Sequence, residues 1–227
     1  MRILYSDDRV IVCVKPDGVL STDEPGGMPQ LLREQLHDPG DVVKSVHRLD
    51  RAVGGVMVYA RTKRAATDMG RQIEDGTFRK KYLAVVVGKT EEVSGTLRHW
   101  LLRDRTARRT LVVDEGTEGA QEAILEYERL EETDSLSLLS VKLFTGRTHQ
   151  IRCQLSHIGH PILGDRKYGG VMNASGIALW SNELRFRHPR TGEEFVFLVS
   201  PPESEPWSRF AVLSGKLEDA KTSSGTI

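Results

Sequence analysis

Short apolar runs set the rhythm of this chain. Ile3-Leu4-Tyr5 reads as a strand, and Val10-Ile11-Val12-Cys13-Val14 as a buried one. Lys15-Pro16-Asp17-Gly18 follows as a turn, with Pro at its second position and Gly at its fourth. After a loop over 23–27, Leu31, Leu32, Gln35 and Leu36 mark a short helix that Asp38-Pro39-Gly40 ends. Residues 56–60 form the next strand. Thr62 then caps a helix reaching about Glu74 and stopping near Gly76. Residues 78–87 are a long strand, 93–102 a turn into another, and 110–113 a short one. Residues 120–130 and 136–144 have the branched and alternating pattern of an antiparallel pair. Residues 148–158 are helical in pattern, with Thr148 as cap, Ile151, Leu155 and Ile158 on one face, and Gly159 as the stop. Residues 164–176 read as loop. Strands over 177–186 and 195–199 flank the turn His188-Pro189-Arg190-Thr191-Gly192, and 205–217 read as a short helix. Many strands and few helices predict an α+β fold with a mixed, largely antiparallel sheet flanked by helices and loops. No linker or repeat divides the chain, so a single domain is expected over 1–217, with 218–227 as a polar, disordered tail.

Composition narrows the class. With 38% hydrophobic and 28% charged residues, a chain of 227 residues can bury a full core and be soluble. Cys13 and Cys153 stand in apolar patterns, with no CxxC, so they predict packed thiols in a reducing, cytoplasmic setting rather than a disulfide framework or a zinc site. The N-terminus lacks the basic start and long apolar core of a signal peptide, and apolar runs such as 83–87 stay at strand length, so no membrane partner is expected. Nothing demands more than a monomer. The formal net charge of zero hides a local imbalance. Residues 61–81 carry seven basic side chains against three acids, and 98–109 carry five arginines against Asp104, whereas acids gather over 114–134. The pattern fits either a basic face on a neutral protein or ordinary solvated surface.

Four stretches concentrate candidate chemistry. His47-Arg48-Leu49-Asp50 places a carboxylate at the mouth of a Gly54-Gly55-led apolar strand, with an arginine two residues away that can pair with it or meet a phosphate. A capped turn with a solvated Asp fits the same residue types. Thr145-Gly146-Arg147-Thr148-His149-Gln150-Ile151-Arg152 places Arg147 in the loop before a helix, where an anion can be met, and sets His149 and Arg152 three apart on one helical face. An Arg closing the helix onto a core carboxylate is the plainer reading. Arg79-Lys80-Lys81-Tyr82-Leu83-Ala84 puts Tyr82 on one strand face with Lys80 and Ala84, able to stack on a base or move a proton, or simply to fill the core. His157 and His160 invite a metal, but Asp165 is the nearest third ligand and Gly159 breaks the helix between them. A P-loop, GxGxxG and GxSxG are absent. The inserted Leu49, together with Gly55 where an Asn would be needed, excludes a kinase catalytic loop.

Taken together, the motifs resemble the RluA family of pseudouridine synthases. The carrying residues are His47-Arg48-Leu49-Asp50 with Gly55, then 81–88, 145–152, and Ile158-Gly159-His160-Pro161-Ile162-Leu163-Gly164-Asp165. The opening Asp7-Asp8 and Lys15-Pro16-Asp17-Gly18 match in kind, as do the closing His188-Pro189, Pro201-Pro202 and Trp207, so the resemblance covers about residues 1–210. It implies the pseudouridine synthase catalytic fold, isomerisation of uridine in ribosomal or transfer RNA, and no metal or organic cofactor. By the same resemblance Asp50 matches the catalytic aspartate, Tyr82 the active-site tyrosine, and Arg152 the arginine that pairs with the aspartate. Arg48 matches the residue that contacts RNA where the target base is flipped out. His47, Lys81, Arg147 and His149 are the further RNA-binding candidates. Two departures stand out: Val53-Gly54-Gly55 where the family has Thr-Ser-Gly, and Cys153-Gln154 where it has Val-His. The chain is also expected to begin directly at the catalytic domain.

Such chemistry suits these side chains. The N-glycosidic bond must break, the uracil must turn, and it must rejoin through C5, with a carboxylate attacking or stabilising sugar or base. The base must leave its stack, and the basic stretches would hold phosphates. Two other classes compete. A non-catalytic RNA-binding module would keep Arg48 and the basic patches without needing Asp50. A glycosidic hydrolase would need paired carboxylates, where the motifs supply one Asp with an Arg.

Overall fold

The computed structural model describes residues 1–40, 42–171, 176–214 and 221–223. In chain order its elements are β1 (Arg2–Ser6), β2 (Val10–Lys15), α1 (Met28–Gln35), β3 (Lys44–Ser45), β4 (Gly54–Ala60), α2 (Lys63–Glu74), β5 (Arg79–Val87), β6 (Ser94–Asp104), β7 (Arg109–Val113), β8 (Gln121–Glu132), β9 (Leu136–Leu143), α3 (Gln150–His157), β10 (Leu179–Arg187), β11 (Glu194–Leu198) and β12 (Lys221–Ser223). The fold is α+β, with mixed, mostly antiparallel pairing, as the apolar pattern predicts.

The chain divides into two units. The first takes residues 1–80 and 180–201 with the described part of the C-terminal end, and the second takes 81–179 and 202–216. In the first, β1, β2, β4 and β10 run in that order, with β3 on β4 and β11 on β10. The β10–β4 pairing is parallel, Trp180 opposite Gly54 and Ser181 opposite Gly55. Every residue of β4 is buried, so its sequence is a continuous apolar run rather than an alternation. The core joins Val10, Val12, Val56, Val58, Met69 and Phe78 to Leu184, Phe186, Phe195, Phe197 and Val199. Thr62 caps α2 as expected, its hydroxyl accepting from the Ala65 N–H at 3.0 Å.

In the second unit the strand order is β5, β9, β8, β6, β7. The expected β8–β9 hairpin is antiparallel, with Tyr127 opposite Val141. A cluster of Leu101, Ala123, Cys153 and Tyr168 lies where α3 meets the strands.

Three expectations change. The described part of the helix expected over 205–217 holds two 3-10 turns, Trp207–Arg209 and Ala211–Leu213, and residues 215–217 lie outside the described ones. Phe210 between them is fully buried and extended, so burying its ring pulls the backbone out of the helical region. The tail expected to be disordered contributes β12, which pairs antiparallel with β11; its other residues, like 172–175 of the expected 164–176 loop, lie outside the described ones. Thr148 does not cap α3. The cap position is His149, held in the left-handed region at φ 55°.

Candidate active site

In the first unit, the Asp50 loop is fastened on both sides of the carboxylate. Ser21 grips the residue before it: its Oγ donates to the Leu49 carbonyl at 2.8 Å and accepts from the Leu49 N–H at 3.1 Å. Ser21 is itself fixed, its carbonyl accepting from Ser45 Oγ and Tyr59 Oη. Lys15 grips the residue after it. Its fully buried ammonium donates to the carbonyls of Pro16 (2.8 Å), Val19 (2.7 Å) and Arg51 (3.1 Å). The Arg51 carbonyl also accepts from the Gly18 N–H at 2.8 Å, and Arg51 Nε returns a bond to the Gly18 carbonyl. Val53 N–H closes a turn onto the Asp50 carbonyl at 2.9 Å. The carbonyls of Leu49, Asp50 and Arg51 and the Leu49 N–H are thus satisfied around a half-buried Asp50. Burial lowers the Lys15 ammonium to about 8, against the pull of nearby Asp17 and Asp50. Sequence reading placed Lys15 only in the turn motif Lys15-Pro16-Asp17-Gly18, without a role, and passed over Ser21; the available signal was a lysine closing an otherwise apolar strand just before Pro16.

Two glycines behind this loop are dictated by close approach. A Cβ on Gly55, which has φ 123°, would lie 2.2 Å from the Ser181 carbonyl oxygen. A Cβ on Gly54 would lie 2.5 Å from the Trp180 ring, so the departure from the family's Ser makes room for that indole. His47, expected to meet RNA, lies in the core instead. It is 7% exposed, its Nε2 accepts from the Val58 N–H at 3.2 Å, and its ring packs 5.3 Å from that of Phe78. Burial first, and Lys80 second, push its pKa down to about 3, so the ring is neutral. Arg48 is exposed.

In the second unit, Arg152 and Asp165 form a buried bidentate pair, Nε to Oδ2 at 2.7 Å and Nη2 to Oδ1 at 2.8 Å. Asp165, named from sequence as a third metal ligand and as the end of a family motif, is the carboxylate that takes the arginine's fork. Tyr82 is buried in β5, where residues 82–86 are buried on both faces rather than alternating, and Lys81 is half-buried. Arg147 is exposed and turns Nε to the Glu122 carbonyl at 3.0 Å. The loop that carries it is closed by Gln150, whose Oε1 accepts from the Arg147 N–H and the Thr145 hydroxyl. His149 does not share a helical face with Arg152, because it stands before the helix; both touch Tyr168 instead, His149 Nδ1 at 2.9 Å from the phenol oxygen and the Arg152 guanidinium 5.2 Å from the ring centre.

The second departure is accommodated in the same core. Cys153 Sγ donates to the Thr110 carbonyl at 3.3 Å, and burial raises its thiol to about 11. Gln154 is fully buried and its amide nitrogen lies within 3.2 Å of the Leu97 and Ala123 carbonyls and of His99 Nδ1. Among the described residues no group of three or more His, Cys, Asp or Glu side chains could hold a metal. None of the described helices is long and apolar enough to cross a membrane.

Comparison with known proteins agrees with these motifs. The family model described as RNA pseudouridylate synthase matches residues 9–157. An uncharacterized RNA pseudouridine synthase of Bacillus subtilis, YlyB, is 33% identical, the match covering 89% of this chain and 70% of that protein. The ribosomal large subunit pseudouridine synthase D of Pseudomonas aeruginosa is 31% identical, covering 91% and 70%. Among solved structures, human RNA pseudouridylate synthase domain containing 1 superposes with a TM-score of 0.75 at 27% identity, covering 92% of this chain and 86% of that one. This chain belongs to the RluA family of RNA pseudouridine synthases, enzymes that isomerise uridine within RNA.

Proposed function

We propose that the protein converts specific uridines of structured ribosomal or transfer RNA to pseudouridine, with Asp50 as nucleophile and Tyr82 and Arg152 in support. The observation that carries the assignment is the Asp50 loop, its two flanking residues fixed by Ser21, Lys15 and Gly18 while the carboxylate itself stays half-buried. A fixed carboxylate at a strand mouth is suited to attack a substrate held in one orientation. Ribosomal RNA is favoured because two relatives carry the name ribosomal large subunit pseudouridine synthase D.

In this reading, Asp50 attacks the target nucleotide at sugar or base and the N1–C1′ bond breaks. The uracil turns, C5 bonds to C1′, the bond to Asp50 breaks and returns the carboxylate, and the C5 proton leaves while N1 gains one, so the reaction is a balanced isomerisation. Tyr82 stacks on the uracil and moves the proton, and Arg152 sets the charge around the reacting groups. Exposed Arg48 fills the gap left by the flipped base, and Lys81, Arg147 and His149 meet RNA.

The test uses unmodified ribosomal and transfer RNA labelled with tritium at uracil C5. Wild-type protein should release tritium and create pseudouridine at a few positions, mapped by chemical modification and primer stops, while Asp50→Ala should do neither. Full turnover by Asp50→Asn would overturn the role of Asp50. Free uracil as product would replace the isomerase by a glycosidic hydrolase, and salt-dependent RNA binding without either product would leave a binding module.

A further inference from the structure

Two lysines of the first unit meet burial in opposite ways. Lys15 gives its ammonium to three carbonyls, with Asp17 and Asp50 near enough to favour its charge. Lys80, the second residue of β5, is half-buried and makes no hydrogen bond or ion pair to any described residue. We propose that Lys80 contacts RNA, its ammonium left uncommitted at the corner it shares with His47 and Phe78 so that it takes a phosphate oxygen. This deepens the reading above that the protein acts on RNA through Asp50, and rests on it.

The corner supplies donors without an acceptor. Lys80 Nζ lies 6.0 Å from the centre of the Phe78 ring, and the His47 ring lies 5.3 Å from the same ring. His47 Nε2 accepts from the Val58 N–H at 3.2 Å, so the single proton of this neutral imidazole stands on Nδ1. That Nδ1 is buried without a partner. A sealed donor and a half-buried cation thus lie against one aromatic ring, and neither has an oxygen to bond. Native interiors rarely leave such groups unmet, and the exceptions call for a water, an ion or a functional role. A water would satisfy Nδ1 but would leave the charge of Lys80 uncompensated.

Charge decides which acceptor is missing. Burial lowers the Lys80 pKa with no carboxylate to pull it back, and the ammonium in turn helps to push His47 down. In the RNA-free protein this charge therefore costs stability at neutral pH. A base carbonyl would fill a hydrogen bond without returning the charge. A phosphate oxygen does both, and a half-buried lysine holds it more strongly than an exposed one, because less solvent screens the pair. The ammonium can be reached, since unlike His47 Nδ1 it is not sealed from solvent. Its neighbour His47 stands three residues before Asp50, which keeps the corner close to the proposed nucleophile along the chain.

The experiment compares wild type with Lys80→Met, which keeps an unbranched stem and removes the charge, and with Lys80→Arg. Turnover is measured on unmodified ribosomal RNA. Equilibrium binding of the same RNA is measured across a salt series in an Asp50→Ala background. Lys80→Met should raise KM about tenfold with little change in kcat. It should also make the plot of log Kd against log salt shallower by roughly 0.7–0.9, the counterion release of one phosphate. Lys80→Arg should lie nearer to wild type than Lys80→Met in both. Without RNA, Lys80→Met should melt at or above the wild-type temperature, because an uncompensated charge has gone. Lys80→Gln is read beside it, so that a misfit of the Met side chain is not mistaken for lost charge. An unchanged salt slope overturns the proposal whatever happens to KM. A lower melting temperature in both neutral variants, or their failure to fold, would show that the ammonium is already partnered in the free protein and overturns it too. Should wild type bind RNA but modify none, the function reading fails while the salt slope still judges Lys80. Should it bind none, both fail.

Discussion

The Asp50 loop and the Arg152 centre are both rigid, but they are made so by opposite means. Around Asp50 the bonds run to main-chain atoms: the carbonyls of Leu49, Arg51 and Asp50 and the N–H of Leu49 are all engaged. These bonds hold the main chain on both sides of the carboxylate. Around Arg152 the bonds run to the functional group itself, through the Asp165 fork and the Tyr168 ring. The bonds named for the first hold its chain, and those named for the second hold its side chain. Removing the first group should therefore cost chemistry, and disturbing the second should cost the fold as well.

The sharpest way to break that contrast is Asp50→Asn. Turnover should fall by at least roughly a thousandfold, as for loss of a nucleophile, while the melting temperature stays close to wild type, measured by tritium release and thermal unfolding on the same preparation. A large fall in melting temperature would mean that the carboxylate is also a strut. Next in size is Asp165→Asn, which leaves a buried guanidinium without its charge partner. A loss of about 3–5 kcal/mol is expected, read as a drop of roughly 10 °C in melting temperature for a chain of this length. The double variant Arg152→Met with Asp165→Leu should regain part of it; no loss in the single variant would sink the claim that Asp165 anchors the arginine.

His47 sharpens the comparison through pH. Its folded pKa of about 3 lies below the unfolded 6.5, so below pH 6.5 the unfolded chain binds a proton that the folded chain refuses. Stability from this group is complete above pH 6.5 and is lost as pH falls toward 3. In His47→Gln, where an amide oxygen can still accept from the Val58 N–H, urea midpoints measured across that window should fall less steeply than in wild type. An identical slope would show that other groups govern the acid limb. The smallest effect is expected for Gly54→Ala, whose Cβ would meet the Trp180 ring at 2.5 Å. It should cost about 1–3 kcal/mol, and less in a Trp180→Leu background, as a urea double-mutant cycle would report.

Local rules carried much of this structure. Thr62, the apolar run of β4 and the β8–β9 hairpin follow from side-chain chemistry over a few residues, and the pattern found them. What escaped the pattern depends on partners distant in sequence. Gly54 is explained only by Trp180, and the Asp165 fork only by the fold that brings Arg152 to it. His149 and Thr148 were misplaced because a capping rule sees hydroxyls but not a left-handed residue held by Tyr168. His47 was misplaced because a histidine beside an arginine looks solvated until the strand next to it is known to bury it. The family motifs named candidates; Lys15 and Ser21, which hold one of them, came from the structure.

The interleaving of the two units sets an order in time as well as in space. Five of the eleven residues in the first unit's core, Leu184, Phe186, Phe195, Phe197 and Val199, arrive only with residues 180–201. On a ribosome adding about 5–20 residues per second, the first 80 residues would wait roughly 6–24 seconds for those partners. In that interval Val10, Val12, Val56 and Val58 lack the phenylalanines they finally rest on, an opening for chaperones or for aggregation. Meanwhile the segment between, 81–179, brings its own strand order from β5 to β7 with it and awaits the stretch after 201 that joins its unit. Both halves thus wait for chain made after residue 179, and the half that carries Asp50 waits for nearly half of its core.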